Sequence, residues 1–167
     1  KLLSTAQVAA LTSAQVAGLT GVQLAQLSTA QLAALGADVS GIATGAISGL
    51  TTTQIVALST DQAAALTSAQ LAKLTVAQLA ALQTADLVQL STDALPGLSS
   101  TQIAALTTAQ VAALTTAQIQ ALTNTQLAAM ETADVAKLTT AQIVALTAAQ
   151  IPAFGSDQIA ALTTTQT

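Results

Sequence analysis

The side chains that could take part in acid–base, metal or nucleophilic chemistry are few in this chain of 167 residues. They are six aspartates, one glutamate and three lysines, and the chain has no Cys, His, Arg, Trp or Tyr. Without Cys and His there is no thiolate or imidazole to bind a metal or to act in catalysis. Without Arg there is no bidentate clamp for a phosphate. These absences exclude disulfides and whole classes of enzyme.

The aspartates Asp61, Asp93 and Asp157 lie far from one another along the sequence. Calcium binding would be a functional interpretation, but calcium loops gather acidic residues in a D-x-D-x-D-G cluster that is missing here. We favour a role at helix N-termini, where a negative charge suits the helix dipole. The many Ser and Thr hydroxyls have no His or Lys base beside them in a motif. We therefore expect no catalytic, cofactor-binding or metal-binding residues, no cofactor and no small-molecule ligand, and we predict that the protein is not an enzyme.

The charge and hydropathy of the chain exclude two kinds of partner. Lys1, Lys73 and Lys137 are outnumbered by acidic residues, which gives a net charge of −4 and no basic face for nucleic acid. The mean hydropathy is +0.66, yet Thr, Ser or Gln interrupts every stretch long enough to cross a bilayer, so no transmembrane helix is expected. The opening KLLSTAQ has no initiator Met and no signal peptide, which predicts a fragment of a longer chain.

An eight-residue repeat runs along the whole sequence. Residues 106–129 read LTTAQVAA, LTTAQIQA and LTNTQLAA, and the same frame gives about twenty octads over residues 1–167. Position one is Leu, replaced only by Ile42, Met130 and Phe154. Position two is mostly Thr or Ser, position five is Gln in sixteen octads, position six is aliphatic, and positions seven and eight are mainly Ala or Gly.

Each octad has the pattern of a helix start. A Thr followed three residues later by Gln is a capping box, in which the hydroxyl accepts from a backbone N–H and the Gln side chain reaches back to the cap N–H. The Leu before the Thr and the aliphatic residue after the Gln stand where a hydrophobic staple requires apolar side chains. The octad therefore predicts a short helix with a cap and a staple.

Two octads depart from this pattern in the same way. In LQTADLVQ (82–89) and METADVAK (130–137), position two is long and position five is Asp. A long and a short partner have changed places, as expected if the two side chains meet. Alternatively, Thr84 and Thr132 cap the helix one residue later.

The eight-residue period argues against one continuous helix. Eight residues advance an ideal helix by about 800°, so a stripe of leucines would rotate by about 80° in each octad. Sustained coiled coils need periods of seven or eleven. The helix must therefore restart in every octad, which leaves about five or six helical residues in each.

We predict an all-α solenoid, a superhelix of about twenty 8-residue short-helix repeats, each with an N-terminal capping box. The alternative is a β-solenoid, because short Thr-rich repeats also build those folds. Ala and Gln favour strands poorly, and positions one and six have opposite parity in a strand. The period leaves open the number of octads in one superhelical turn and the hand of the superhelix.

Three places interrupt the uniform pattern. Residues 36–49 hold four glycines and a seven-residue octad, which allows a hinge, a ligand loop or, as we favour, a degenerate repeat with a tighter backbone. Pro96 and Pro152 stand at position seven and should end their helices after about one turn. Position eight, which holds Lys73 and Lys137, is predicted to border solvent.

The octads LTTAQVAA and LTTAQIQA resemble the L-T-x-x-Q-[ILV]-x-A arrays of large secreted or cell-surface bacterial proteins, including adhesin-like and RTX-like chains. The resemblance covers almost the whole chain and implies an extracellular or cell-surface location, with a role as a stalk, matrix component or filament. The octad is also similar to the first helix of TAL-effector repeats. Those repeats are several times longer than an octad and have a second helix and a base-reading loop, which are absent here.

These observations lead to three hypotheses about function. The first is a non-enzymatic structural region of an exported bacterial protein, serving as a stalk, spacer, matrix or filament element. The second is a Thr-rich surface that binds a regular solid such as ice or a polysaccharide through many weak contacts. The third is a filament subunit that self-associates through the ends of the solenoid, since uncapped solenoid ends expose apolar faces.

Overall fold

The computed structural model describes residues 3–162, and every structural statement below refers to that part of the chain. Lys1 and the position-five Gln166 lie outside the described residues. Sixteen α-helices of four to six residues follow one another, one in each regular octad. They are α1 (Thr5–Ala9), α2 (Ser13–Ala17), α3 (Gly21–Ala25), α4 (Thr29–Ala33), α5 (Thr52–Val56), α6 (Thr60–Ala65), α7 (Ser68–Leu71), α8 (Val76–Ala81), α9 (Thr84–Leu87), α10 (Ser100–Ala104), α11 (Thr108–Ala113), α12 (Thr116–Ala121), α13 (Asn124–Ala128), α14 (Thr132–Val135), α15 (Thr140–Ala145) and α16 (Ser156–Ala160).

The helix restarts in each regular octad because extended backbone interrupts it, as between α11 and α12. Leu114 has φ −53° and ψ 137°, and Thr115 has φ −72° and ψ 159°. The Leu114 N–H still bonds to the Val111 carbonyl at 3.2 Å, which closes α11, and Thr115 is the cap of α12. The described chain contains no strand, so the helical solenoid is confirmed and the β-solenoid alternative is wrong.

The octads wind into stacked turns. Helices pack against the helix three octads away, as α12 does on α15 and α5 on α8. Hydrogen bonds from position five reach carbonyls 28 and 31 residues earlier, as from Gln110 to Leu82 and Leu79. One superhelical turn therefore takes between three and four octads, which the sequence left open.

The core is a continuous column built from two positions of the octad. Position six is fully buried throughout the middle of the chain, for example at Ile55, Leu79 and Ile119 (each 0% exposed). The position-one leucines, such as Leu82 and Leu114, are buried beside them. Burying one such side chain stabilises the fold by roughly 1.5–3 kcal/mol. The column leaves little room for rings, which accounts for the near absence of aromatic residues.

Four octads carry a 3-10 helix in place of the α-helix, a tighter form that proteins use in short pieces. These helices are Gly36–Gly41, Ile47–Gly49, Leu95–Gly97 and Ile151–Ala153. Pro96 and Pro152 lie in two of them and exclude the α-helix from their octads altogether, a stronger effect than an early helix end.

The segment 36–49 continues the stack. Val39, Ile42 and Ile47 are buried in the common core, and the Val39 and Ile42 carbonyls accept hydrogen bonds from Gln70 of the next turn. These contacts support a degenerate repeat with a tighter backbone and do not support a hinge or a ligand loop.

Glycine at position eight allows two turns to approach closely where position five is Ala. A Cβ atom on Gly97 would lie 2.2 Å from the Ser68 carbonyl oxygen, and one on Gly49 would lie 2.3 Å from the Cα of Gly21. Position five is Ala46 in one of these octads and Ala94 in the other, so no side-chain amide reaches the turn before. Direct backbone contact takes the place of that amide.

None of the helices in the described range is long and apolar enough to cross a membrane.

Position eight reaches solvent where it carries a long polar side chain, as predicted. The exposed residues at this position include Gln26, Lys73, Gln89 and Lys137.

Candidate functional surface between the turns

The glutamine at position five forms the predicted capping box. In the octad 106–113, Gln110 Oε1 accepts from the Thr107 N–H at 2.9 Å, and the Thr107 hydroxyl accepts from the Gln110 N–H at 3.2 Å. All the α-helices have this reciprocal pair except α9, α14 and α16. In α16 the cap is Gly155, which has no hydroxyl, and only its N–H bonds to Gln158. The capping box predicted from the Thr–Gln spacing is therefore confirmed in most octads.

The same glutamine has a second partner that the sequence did not reveal. Gln110 Nε2 donates to the Leu79 carbonyl at 2.9 Å and to the Leu82 carbonyl at 2.8 Å, both in the preceding turn. Gln110 is 2% exposed, and its amide oxygen and nitrogen are both bonded. Equivalent bonds to the preceding turn are made by Gln54, Gln62, Gln70, Gln78, Gln102, Gln118, Gln126, Gln142, Gln150 and Gln158.

The choice of Gln over Glu at position five carried a signal for this contact. Glu and Gln both complete a capping box, yet sixteen octads have Gln there and none has Glu. Only Gln has an N–H₂ group that can donate once its oxygen is engaged. A buried carbonyl without a donor costs about 1–3 kcal/mol, so the amide is needed wherever a turn lies beneath it.

Asp86 and Asp134 replace this glutamine in α9 and α14, and here one prediction from the sequence is wrong. The cap residues Gln83 and Glu131 make no side-chain cap hydrogen bond, so the long and short side chains do not form an exchanged box. Gln83 Nε2 donates instead to the Val56 carbonyl at 2.6 Å, because its long side chain reaches the preceding turn.

The alternative cap for these two helices is also wrong. Thr84 and Thr132 are the first residues of α9 and α14 and do not cap them.

Asp86 and Asp134 are each 3% exposed, and Asp86 Oδ2 has no hydrogen-bond partner among residues 3–162. Burial raises the pKa of both carboxyls, and the negative charge of Glu131 raises the pKa of Asp134 further.

The three aspartates considered for calcium are exposed and lie apart. Asp61 and Asp157 are in the first turns of α6 and α16, and Asp93 lies in the turn before a 3-10 helix, so the helix-dipole interpretation does not extend to it. Within the described range no three acidic side chains come together as a metal-binding group. Lys73 and Lys137 are also exposed. That the chain has no catalytic residues stays a prediction.

The two ends of the described solenoid differ from its middle. At the first turn Gln7, Gln15 and Gln23 are exposed, and no carbonyl among residues 3–162 accepts from their side-chain amides. At the other end an apolar groove opens, in which Ile151 and Ile159 are each 47% exposed. The groove is lined by Ile143, Leu146, Ile151, Phe154, Ile159 and Leu162.

The ALTTAQ repeat family model matches this chain four times in tandem, at residues 39–81, 79–116, 105–132 and 127–164. The matches overlap and cover most of the sequence. The chain belongs to the ALTTAQ repeat family. The four octads at residues 3–34 lie outside the matches and have the same capping boxes. No curated protein and no solved structure matches the chain.

Proposed function

We propose that this ALTTAQ array is a non-enzymatic structural region, a stalk, spacer or matrix element, of an exported bacterial protein. The observation that supports the proposal is the recurring contact between turns: every position-five glutamine from Gln54 to Gln158 donates to at least one backbone carbonyl of the preceding turn. Each added turn repeats that contact, so length can be extended without a new kind of interface. The resemblance to secreted bacterial arrays and the absence of Cys support the export part of the proposal.

Distances between spin labels test the spacer role. The chain has no Cys, so labels can be attached specifically after Thr52→Cys is combined in turn with Thr84→Cys, Thr108→Cys or Thr132→Cys. All four threonines are exposed and occupy position three of an octad. A spacer should give narrow distance distributions whose mean grows with the number of turns between the labels. Broad distributions would contradict a rigid element.

Export is tested separately on intact cells that make the complete protein. Protease added outside the cells should cleave the octads if the array is at the cell surface. Octads that survive until the cells are lysed would contradict this location while leaving the spacer role intact.

The second candidate function is head-to-tail self-association, which the exposed glutamines at residues 7–23 and the apolar groove at residues 143–162 favour. The unbonded amides of Gln7, Gln15 and Gln23 match the donors that every inner turn presents to the turn before it. The half-exposed groove at residues 143–162 exposes side chains from positions one and six, on which a further turn would pack. A second copy could therefore continue the stack through the same interface as an inner turn, in a contact that does not close.

Sedimentation velocity over a range of concentrations tests this candidate. The wild-type chain should form larger species as its concentration rises. The double variant Q15E/Q23E should stay monomeric, because its carboxylates would face carbonyls, whereas Q26E at an exposed position eight should associate like the wild type. A wild-type chain that remains monomeric throughout would contradict self-association.

A further inference from the structure

At Asp86 and Asp134 the position-five side chain supplies no donor to the carbonyls of the preceding turn. The nearest position-five glutamines before and after Asp86, which are Gln78 and Gln102, donate to the Leu50 and Leu74 carbonyls 28 residues earlier. In the same register Asp86 follows Leu58, and Asp134 follows Leu106. No donor among the described residues bonds to the carbonyl of Leu58 or of Leu106.

The Asp86 carboxyl has an unbonded polar atom of its own in the described chain, in addition to these unbonded carbonyls. Its Oδ2 atom is buried without a hydrogen-bond partner in the described chain, although buried polar atoms are nearly always bonded. An ionised carboxylate can only accept, whereas a protonated carboxyl also donates. A single proton would therefore supply the donor that the Gln amide supplies in the other layers.

We propose that Asp86 and Asp134 are proton-binding sites between turns, at which a neutral carboxyl donates toward the preceding turn in place of the Gln amide. The array is then most stable in mild acid, and it loosens first at these two layers when the carboxyls ionise. Both layers lie within the matched part of the array.

The charged groups around the two sites differ, and Glu131 favours the neutral carboxyl at Asp134. The helices that pack most closely on α9 are α6, which carries the exposed Asp61, and α11, which carries no charge. The helices on α14 are α11 and α16, which carries the exposed Asp157. Beside α14 itself, Glu131 adds a negative charge, and the exposed Lys137 is the one positive group nearby among the described residues.

The direction of the pH effect follows from proton binding. Because burial raises the pKa of both carboxyls in the folded chain, the folded state binds more protons than the unfolded state between the ordinary and the raised pKa. The stability that these groups contribute is fully present below the ordinary pKa. It is lost as the pH rises through the raised pKa.

Thermal unfolding of the whole chain as a function of pH tests the proposal. The wild-type Tm should rise by a few degrees as the pH falls from about 7 to about 4. In D86N/D134N, whose amides can donate at any pH, the Tm should be higher at neutral pH and should lose most of this dependence. The matched control D38N/D93N removes two exposed carboxylates and the same net charge, and it should keep the wild-type dependence.

Two results would overturn the proposal. One is a D86N/D134N variant whose Tm depends on pH as strongly as that of D38N/D93N. The other is a rise of the wild-type Tm with calcium chloride at neutral pH that D86N/D134N lacks, because the layers would then bind a cation. Carbon-13 carboxyl titration of the wild-type chain needs no variant: Asp86 should titrate above the ordinary range of an aspartate, and a midpoint within that range would contradict the proposal.

Discussion

The octads 11–18 and 106–113 are nearly identical in sequence, LTSAQVAG and LTTAQVAA, yet their glutamines have different surroundings. In both, the cap N–H bonds to the Gln oxygen, at 2.8 Å for Gln15 and 2.9 Å for Gln110. Gln15 is exposed and its amide nitrogen has no acceptor in the described chain, whereas Gln110 is buried and bonds to two carbonyls. The comparison separates two tasks of one side chain: the oxygen starts a helix, and the nitrogen joins two turns.

The largest expected effect comes from a substitution that preserves the helix cap and removes the hydrogen bonds between turns. In Q110E the carboxylate can still complete the capping box, but it faces two carbonyls in a buried layer. An uncompensated buried charge costs about 3–5 kcal/mol, so the free energy of unfolding in urea should fall by about that amount at neutral pH.

The control for this change is Q15E. Its carboxylate is exposed at a helix N-terminus, where negative charge is tolerated or favourable, so its stability should stay close to that of the wild type. Equal destabilisation by Q110E and Q15E would mean that the contact between turns adds nothing beyond the cap.

A smaller effect is expected when a core isoleucine is truncated to alanine. Its size should depend on whether the isoleucine lies in the middle of the described solenoid or near its end. I119A removes a side chain that is fully buried, and such a truncation costs about 2–5 kcal/mol. I159A makes the same change where the side chain is 47% exposed, so the loss should be clearly smaller. Urea unfolding of both variants checks this order, and a reversed order would contradict the burial pattern.

The next largest effect is expected from a substitution at Gly97, where two turns approach each other closely. G97A places a methyl group against the Ser68 backbone, and the resulting shift should cost about 1–3 kcal/mol. G45A is the matched control, because a Cβ there meets nothing within 4 Å. Calorimetry should show a lower Tm for G97A only, and a lower Tm for both would point to a general loss of glycine flexibility.

The smallest effect is expected from the loss of a cap hydroxyl, and it should be equal in the middle of the solenoid and in its first turn. T107A and T12A each remove a cap hydroxyl that accepts from the Gln N–H, at 3.2 Å and 3.3 Å. Loss of such a cap costs about 1 kcal/mol wherever the helix lies. Stability measured in urea should fall equally in the two variants, and a difference would show that the cap also depends on the turn beneath it.

The features that could be predicted from the sequence are the local ones. A Thr three residues before a Gln determines a capping box within one octad, and the eight-residue period excludes a continuous helix. The apolar positions one and six then form the staple and the core, as at Leu106 and Val111.

The features that could not be predicted depend on how the turns stack. The partners of Gln110 Nε2 lie 28 and 31 residues away, a separation fixed by the superhelical turn and not by the octad. For the same reason the sequence led to the wrong partner for Gln83, which bonds to Val56 of the preceding turn and not to Asp86. It also gave no indication that the Asp86 carboxyl lies buried with one oxygen that has no hydrogen-bond partner among the described residues.

Hydrogen exchange of the side-chain amides of Gln110 and Gln15, followed by NMR in the wild-type chain, is the most direct test of the two tasks. We expect the Nε2 hydrogens of Gln110 to exchange much more slowly, because they are buried and bonded to Leu79 and Leu82, whereas those of Gln15 should exchange as in a free side chain. Equal exchange rates at the two glutamines would contradict the claim that this amide joins the turns.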